Sequence, residues 1–295
     1  MTDAMQSPVT TTTADDDDLL PATGPRLQAL RWLMHPRVLL LVPLLIAALA
    51  LGLRLQGIDW DATPSSPGET TNYNFYHPDE RSIYMRANTM YQTLTEAPGW
   101  ESTQNRDFPL DTPGPPSIGT LFDKDASPLN PHWFPLGTII IYILVAVRGL
   151  ILEPLMDQVR LEDMASAGRT IAAIVDAGSV LLLYFLGRRL FGSAVGLLAS
   201  VLLTFTVMNI QQTHFYRPDA FIILLALGTF WWALNVLERG RKRDHAILGL
   251  MVGLSFSFRA SGAPLLIPVL ATYAILVWRL WKSGGLPLRA SMRQV

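Results

Sequence analysis

The stretch Phe221–Leu237, FIILLALGTFWWALNVL, carries no charge and lies between Asp219 on one side and Glu238 with Arg239 on the other. Its length approaches the roughly 20 residues that a helix needs to cross a bilayer. It is one of a series: further apolar runs occupy Val38–Leu53, Leu136–Leu152, Ile171–Leu186, Leu190–Met208, Ala246–Phe258 and Pro264–Trp281. No soluble core needs so many. Half of the composition is hydrophobic, yet the mean hydropathy is only +0.28, because one polar block, Gln56–Pro135, dilutes the average. The chain reads as an all-α polytopic membrane protein, integral and multi-pass.

Charge placement orients it. Short cytoplasmic loops collect Lys and Arg, and here Arg188 with Arg189, then Arg239, Arg241, Lys242 and Arg243, then Arg279 with Lys282, punctuate the apolar runs. The block Gln56–Pro135 holds eleven acids against four Lys or Arg, and eleven of the 21 prolines. It reads as a large external loop, an irregular cap with short helices, of which Tyr84–Leu94 is the clearest. Parity then requires one apolar run not to cross. Leu136–Leu152 is that run: Arg148 interrupts it and the acidic stretch Glu153–Asp163 follows, so it is expected as a surface or re-entrant helix with Arg148 reaching for headgroups. Six crossings remain. This arrangement puts His77–Arg81, Gln211–Asp219 and Arg259–Gly262 on one outer side.

The remaining features bound the answer loosely. Residues 1–37 form an expected disordered cytoplasmic tail with a basic flank, too poor in apolar residues to fold, and 282–295 a basic C-terminal stretch. The net charge of −1 names no partner, and the lack of cysteine removes disulfides and thiol chemistry. No nucleic-acid-binding pattern or Gly-rich phosphate loop is present. Asp176, an acid within a span, is expensive and needs a partner from another span.

Several ordered motifs now converge. Tyr76–Arg81 (YHPDER) after the first span resembles the Asp-Glu motif in the first external loop of GT-C glycosyltransferases that use lipid-carried sugars, among them protein O-mannosyltransferases and aminoarabinose transferases. Asn130–Gly137 is similar to their Pro-Pro-Leu element, with Phe134 at the first proline. His132 and Trp133 within it suit an interfacial aromatic anchor. Ala167–Arg169 and Gly187–Gly192 resemble the flanks of their second crossing. His214, Tyr216, Arg217 and Asp219 match the segment that presents a second external acid, and Leu254–Gly262 is similar to a Gly-Leu-x-x-x-x-Lys-Gly element with Arg259 in place of lysine.

The resemblance covers about Val38–Trp281. It implies a hexosyl or pentosyl transferase that moves a sugar from a polyprenyl-phosphate donor to a protein, lipid or glycan acceptor hydroxyl, on the extracytoplasmic face of the plasma membrane. Relatives continue with further spans, so that truncation is one reading of the chain's end.

The residue types suit that chemistry. A base must take the acceptor proton, and a carboxylate serves if burial or a second acid tunes it; Asp79 is the candidate, Glu80 could share the role, and Asp219 would orient donor or acceptor. A cation must meet the charge on the leaving phosphate, for which Arg259 is best placed, with Arg81, Arg217 and His214 beside it. No cofactor is required, although Asp79, Glu80 and Asp219 could supply oxygen ligands to a divalent metal. Local structure offers rival roles. Pro78, Asp79 and Glu80 make a good first helical turn, Asp219 could cap the span at Phe221, and Arg259 could be an interfacial anchor. A transporter or channel, with Asp176 as a pathway element, or a catalytically silent lipid-binding paralogue are the alternative functions.

Overall fold

A computed structural model describes residues 36–63, 72–95, 122, 123, 127, 129–131 and 134–283. The N-terminal tail, His132 with Trp133 and the basic stretch from 284 lie outside the described residues, as does much of the external loop. The chain divides into two compact units, Met1–Val42 and Pro43–Val295. Of the first, only 36–42 are described, and they are helical.

The described elements are helical apart from one antiparallel pair of two-residue strands. Helix α1 is Pro36–Leu55; strands β1, Ala62–Thr63, and β2, Asn72–Tyr73, pair in the register Ala62 to Tyr73. Helix α2, Pro78–Thr95, contains the helix expected at Tyr84–Leu94 and begins with the Pro-Asp-Glu turn. Between β2 and α2 the chain turns at Phe75, whose φ of 47° is unusual for a residue with a side chain. Helix α3, Ile139–Val147, runs on through a π-helical turn at Arg148–Leu152. Then come α4, Leu161–Phe191; α5, Ser193–Thr204; α6, Val207–Thr213; α7, Pro218–Arg239; α8, Lys242–Phe258; a 3₁₀ turn, Ala260–Leu265; and α9, Leu266–Lys282.

The protein is an integral membrane protein built as an all-α bundle. By length and composition α4, α7 and Ala260–Lys282 can each cross a bilayer, and so can α5 with α6, bent by 59°, if the pair is one span. Leu40–Leu55 is a shorter apolar helix. The outward faces stay greasy: Leu45, Leu198, Leu202, Ile267 and Leu270 are each more than half exposed. In water such faces would drive aggregation, and in lipid they need no cover.

Small residues let the helices close. On α4 the buried positions include Ala165, Gly168, Ala172, Ala173 and Ala177, a face narrow enough for neighbouring backbones to approach. At the α4–α5 reversal Gly192 takes φ 93°, and a Cβ on Gly196 would stand 2.6 Å from the Tyr184 carbonyl oxygen. Opposite ends of α7 carry opposite kinds of site. At its C-terminus Glu238 pairs with Arg189 at 2.7 Å, and Arg279 donates to the Leu237 carbonyl, so the basic termini of α4, α7 and α9 gather there. Asp219 is in the first turn of the same helix, about 29 Å away at 1.5 Å per residue.

Helix α3 packs one face against the core. Ile140, Ile141 and Leu144 are fully buried in the core shared with Ile83, Tyr84 and Met164. Arg148 corrects the expectation of a cation reaching for headgroups. It is only 5 % exposed, hydrogen-bonded to Glu153 at 2.9 Å and to Asn88, with its guanidinium over the Tyr91 ring. A carboxylate and an amide within reach satisfy it inside the protein, so it has no need of lipid phosphate.

Gly137 ties this region to the end of α8. Its N–H donates to the Phe258 carbonyl at 2.8 Å, and a Cβ there would lie 1.8 Å from the Ser257 carbonyl oxygen. All the close atoms are backbone, so nothing can rotate aside. Gly137→Ala is expected to destabilise the protein by about 1–3 kcal/mol through overpacking, read as a lower melting temperature in detergent. Gly178→Ala, where a Cβ meets nothing within 4 Å, is the matched control.

Candidate active site

Three separate segments meet at one end of the bundle. Asp79 comes from the first turn of α2, Arg217 and Asp219 from the start of α7, and Arg259 from the residue that ends α8. Arg217 Nη2 stands 4.0 Å from Asp79 Oδ2 and 3.3 Å from Asp219 Oδ2; Arg259 Nη1 donates to Asp219 Oδ1 at 3.3 Å. The result is an alternating row of acid, cation, acid and cation. Asp219 is in the first turn of α7, but its side chain does not cap the helix, whose N-cap residue is Arg217; it is held between two guanidinium groups.

Asp79 is the least restrained of the four, 40 % exposed and only loosely paired. Two buried nitrogens with no hydrogen-bond partner lie in the same segments, His77 Nδ1 and Arg217 Nε. Buried polar atoms are nearly always satisfied within a protein, so the two leave capacity for a ligand or water. The His77 ring packs on Phe215 at 4.9 Å between centroids, and Trp60 packs on Phe215 at 5.5 Å, giving the row an aromatic border. A cavity of about 450 Å³ reaches Asp219 and is lined by Asn209, Gln212, Ile222, Ile223 and Ser261 among others.

Glu80 behaves differently from its neighbour. It is fully buried, and Oε1 accepts from the Tyr84 hydroxyl at 2.7 Å, Arg169 Nε at 2.9 Å and the Tyr216 backbone N–H at 2.9 Å; Oε2 accepts from Arg169 Nη2 at 2.9 Å. Arg169 spends its remaining donors on Asp61, at 2.7 and 3.0 Å, and on the Ile58 carbonyl at 2.9 Å. This knot joins the external loop, α2, α4 and the segment before α7. Burial, with the Glu80 carboxylate second, pushes the Tyr84 phenol well above its ordinary value, which keeps it a donor. Gly168 allows the knot to close, since a Cβ there would come 2.8 Å from the Tyr216 ring.

Of the sequence candidates, Asp79, Arg217, Asp219 and Arg259 are brought together. Glu80 is adjacent but faces the core, and Arg81 is exposed on α2 and joins none of these pairs. Among the described residues no group of three or more acids or histidines is placed to hold a metal ion. Sequence reasoning gave no role to Asp61 or to the Tyr84 side chain, and placed Arg169 and Tyr216 only within motifs. The Ala167–Arg169 motif was the signal that the sequence offered.

His214 lies in the turn before Arg217, half-buried, with Nε2 unpartnered. Burial pulls its imidazole below the usual 6.5, partly offset by the backbone carbonyls of Arg54 and Gln56. The folded state therefore binds this proton less readily than the unfolded chain. The stability so contributed is complete above about pH 6.5 and is lost as the pH falls toward the lower folded value. A melting temperature in detergent that declines from pH 7.5 to 5.5, and declines less in His214→Gln, is the expected result.

Comparison with known families bears on this arrangement. Residues 159–292 match the family model of dolichyl-phosphate-mannose-protein mannosyltransferases. Over those residues the chain is similar to that GT-C glycosyltransferase family. The match covers less than half of the 295 residues and takes in Arg169, Arg217, Asp219 and Arg259, whereas Asp79 and the external loop lie outside it. Asp79 therefore joins the matched residues through geometry, by way of Arg217. Searches of curated proteins and of solved structures returned no significant match. In general terms the family supports a membrane glycosyltransferase that draws on a lipid-linked sugar.

Proposed function

We propose that the chain transfers a sugar from a polyprenyl-phosphate carrier to an acceptor hydroxyl at the extracytoplasmic face of the plasma membrane. The convergence of Asp79, Arg217, Asp219 and Arg259 carries this reading. The acceptor oxygen attacks the anomeric carbon as the bond from that carbon to the carrier phosphate breaks. Its proton passes to Asp79, and the phosphate leaves with the electron pair, so the anomeric configuration inverts. Asp79 suits the base role because one cation approaches it only at 4.0 Å and its exposure leaves room for the hydroxyl.

Arg259, with Arg217 behind it, meets the charge on the departing phosphate, which is worth most in a site from which water is largely excluded. Asp219 holds both guanidinium groups in place. Glu80 acts as a positioning residue that fixes the first turn of α2, and hence Asp79, against Arg169. Arg81 faces solvent and would meet acceptor or headgroups. His214, neutral at pH 7, would hydrogen-bond substrate rather than attract phosphate by charge. No metal or organic cofactor enters the step. A protein hydroxyl is the first acceptor to try, given the description of the matched family; lipid and glycan hydroxyls come next.

A transporter reading would make Asp176 a pathway residue, but Asp176 is fully buried and hydrogen-bonded to Arg54 and Asn209. The test is transfer of radiolabelled mannose from polyprenyl-phosphate mannose in membranes, comparing the chain with Asp79→Asn at matched expression. Transfer that persists at the same rate in the variant would remove Asp79 from the mechanism. Transfer abolished in Asp79→Asn would establish enzyme and base together.

A further inference from the structure

Helices α5 and α6 are separated by two residues and bent by 59°. A helix end leaves carbonyls without partners, which is costly in a bilayer, where water is scarce. Here Arg54, from the last turn of α1, reaches across. Its Nη1 donates to the Thr204 carbonyl and its Nη2 to the Leu203 carbonyl, both at 3.3 Å, and Nη1 also reaches its own helix at Ala50.

The same guanidinium is paired through Nε with Asp176 of α4, and both Asp176 oxygens accept from the Asn209 side-chain amide at 2.7 Å. Arg54 and Asp176 are wholly buried and Asn209 is 7 % exposed. One ion pair therefore grips both limbs of the break. The cation holds the last turn of α5, and the anion, through Asn209, holds the first turn of α6.

Those limbs form a wall of the cavity at the site. Leu203, Thr206 and Asn209 line it on one side; Asp219, Ile222 and Ile223 of α7 line it on the other. A change in the bend would move one wall relative to Asp219. We propose that Arg54, Asp176 and Asn209 form a positioning clamp that sets the angle of the α5–α6 break and so the shape of the substrate cavity beside Asp219. The proposal rests on the glycosyltransferase reading for its consequence in rate, but not for the clamp itself.

Removing one charge would leave its partner buried and alone, and the protein could fail to fold for that reason only. The informative variant is Arg54→Met with Asp176→Leu, which removes both charges at similar volume, a change that buried pairs often tolerate. Asn209→Ala is the second variant, since it leaves the ion pair whole and frees only α6. The protein contains no cysteine, so spin labels placed at Leu198→Cys on α5 and Gln211→Cys on α6, both exposed, report the bend alone.

With folding checked by melting in detergent, the expected result in either variant is a broadened or shifted label distance and a fall in kcat/KM for the lipid-linked donor. That fall should approach 10²-fold, the effect of misplacing a reactant by about 1 Å. A folded variant that keeps the wild-type distance would overturn the clamp, whatever its activity. A changed distance with unchanged kcat/KM would overturn its role in the site. A wild-type chain without transfer activity would instead count against the glycosyltransferase reading, and the label distances would still decide the clamp.

Discussion

Asp79→Asn is expected to lower the rate of sugar transfer by about 10² to 10⁴, with expression and membrane insertion unchanged. A positioned base contributes acceleration of that order, equivalent to about 3 to 5 kcal/mol of transition-state stabilisation. Asparagine keeps the shape and can still accept a hydrogen bond, but it cannot take the proton, so the loss should fall on kcat more than on KM for the lipid donor. Its pairing with Arg217 is long, 4.0 Å, and partly exposed, so little stability is at stake. This separates chemistry from folding: a variant that melts like wild type and transfers no sugar is the expected result, whereas wild-type kcat would assign the base elsewhere.

Arg169→Met should act in the opposite way, on the fold before the chemistry. It would strand the Asp61 and Glu80 carboxylates, both buried, which lose four donor contacts from one guanidinium, and would free the Ile58 carbonyl of a fifth. Breaking a buried pair by removing one partner costs about 3–5 kcal/mol, a large share of the marginal stability of a domain. Activity and melting temperature should therefore fall together. Arg169→Lys should recover only part of either, because a single ammonium cannot serve two carboxylates bidentately. A protein that melts normally with Met at this position would show that the knot around Glu80 is dispensable.

The contrast between Asp79 and Glu80 illustrates what a sequence can and cannot carry. Adjacent residues on a helix point about 100° apart. The Pro-Asp-Glu turn was recognisable as a helix start and as an acidic motif, but which acid faces the site depends on which flank of α2 is covered. The covering comes from α4 and the segment before α7. Arg169 and Tyr216 lie 89 and 136 residues away in the chain, and no local pattern links them.

The sequence by itself determined the membrane character, the helical class, the gathering of basic residues at segment ends and the identity of Asp79, Asp219 and Arg259 as candidates. These follow from local quantities, namely hydropathy over a span, charge between spans and short motifs. Tertiary structure decided how these charges are partnered. It placed Arg217 between two acids, turned Glu80 inward, satisfied Arg148 inside the protein and supplied Asp176 with Arg54 from 122 residues earlier. The physical reason is common to all four: a buried charge must find its partner in space, and helix packing brings together residues whose separation along the chain says nothing about their distance.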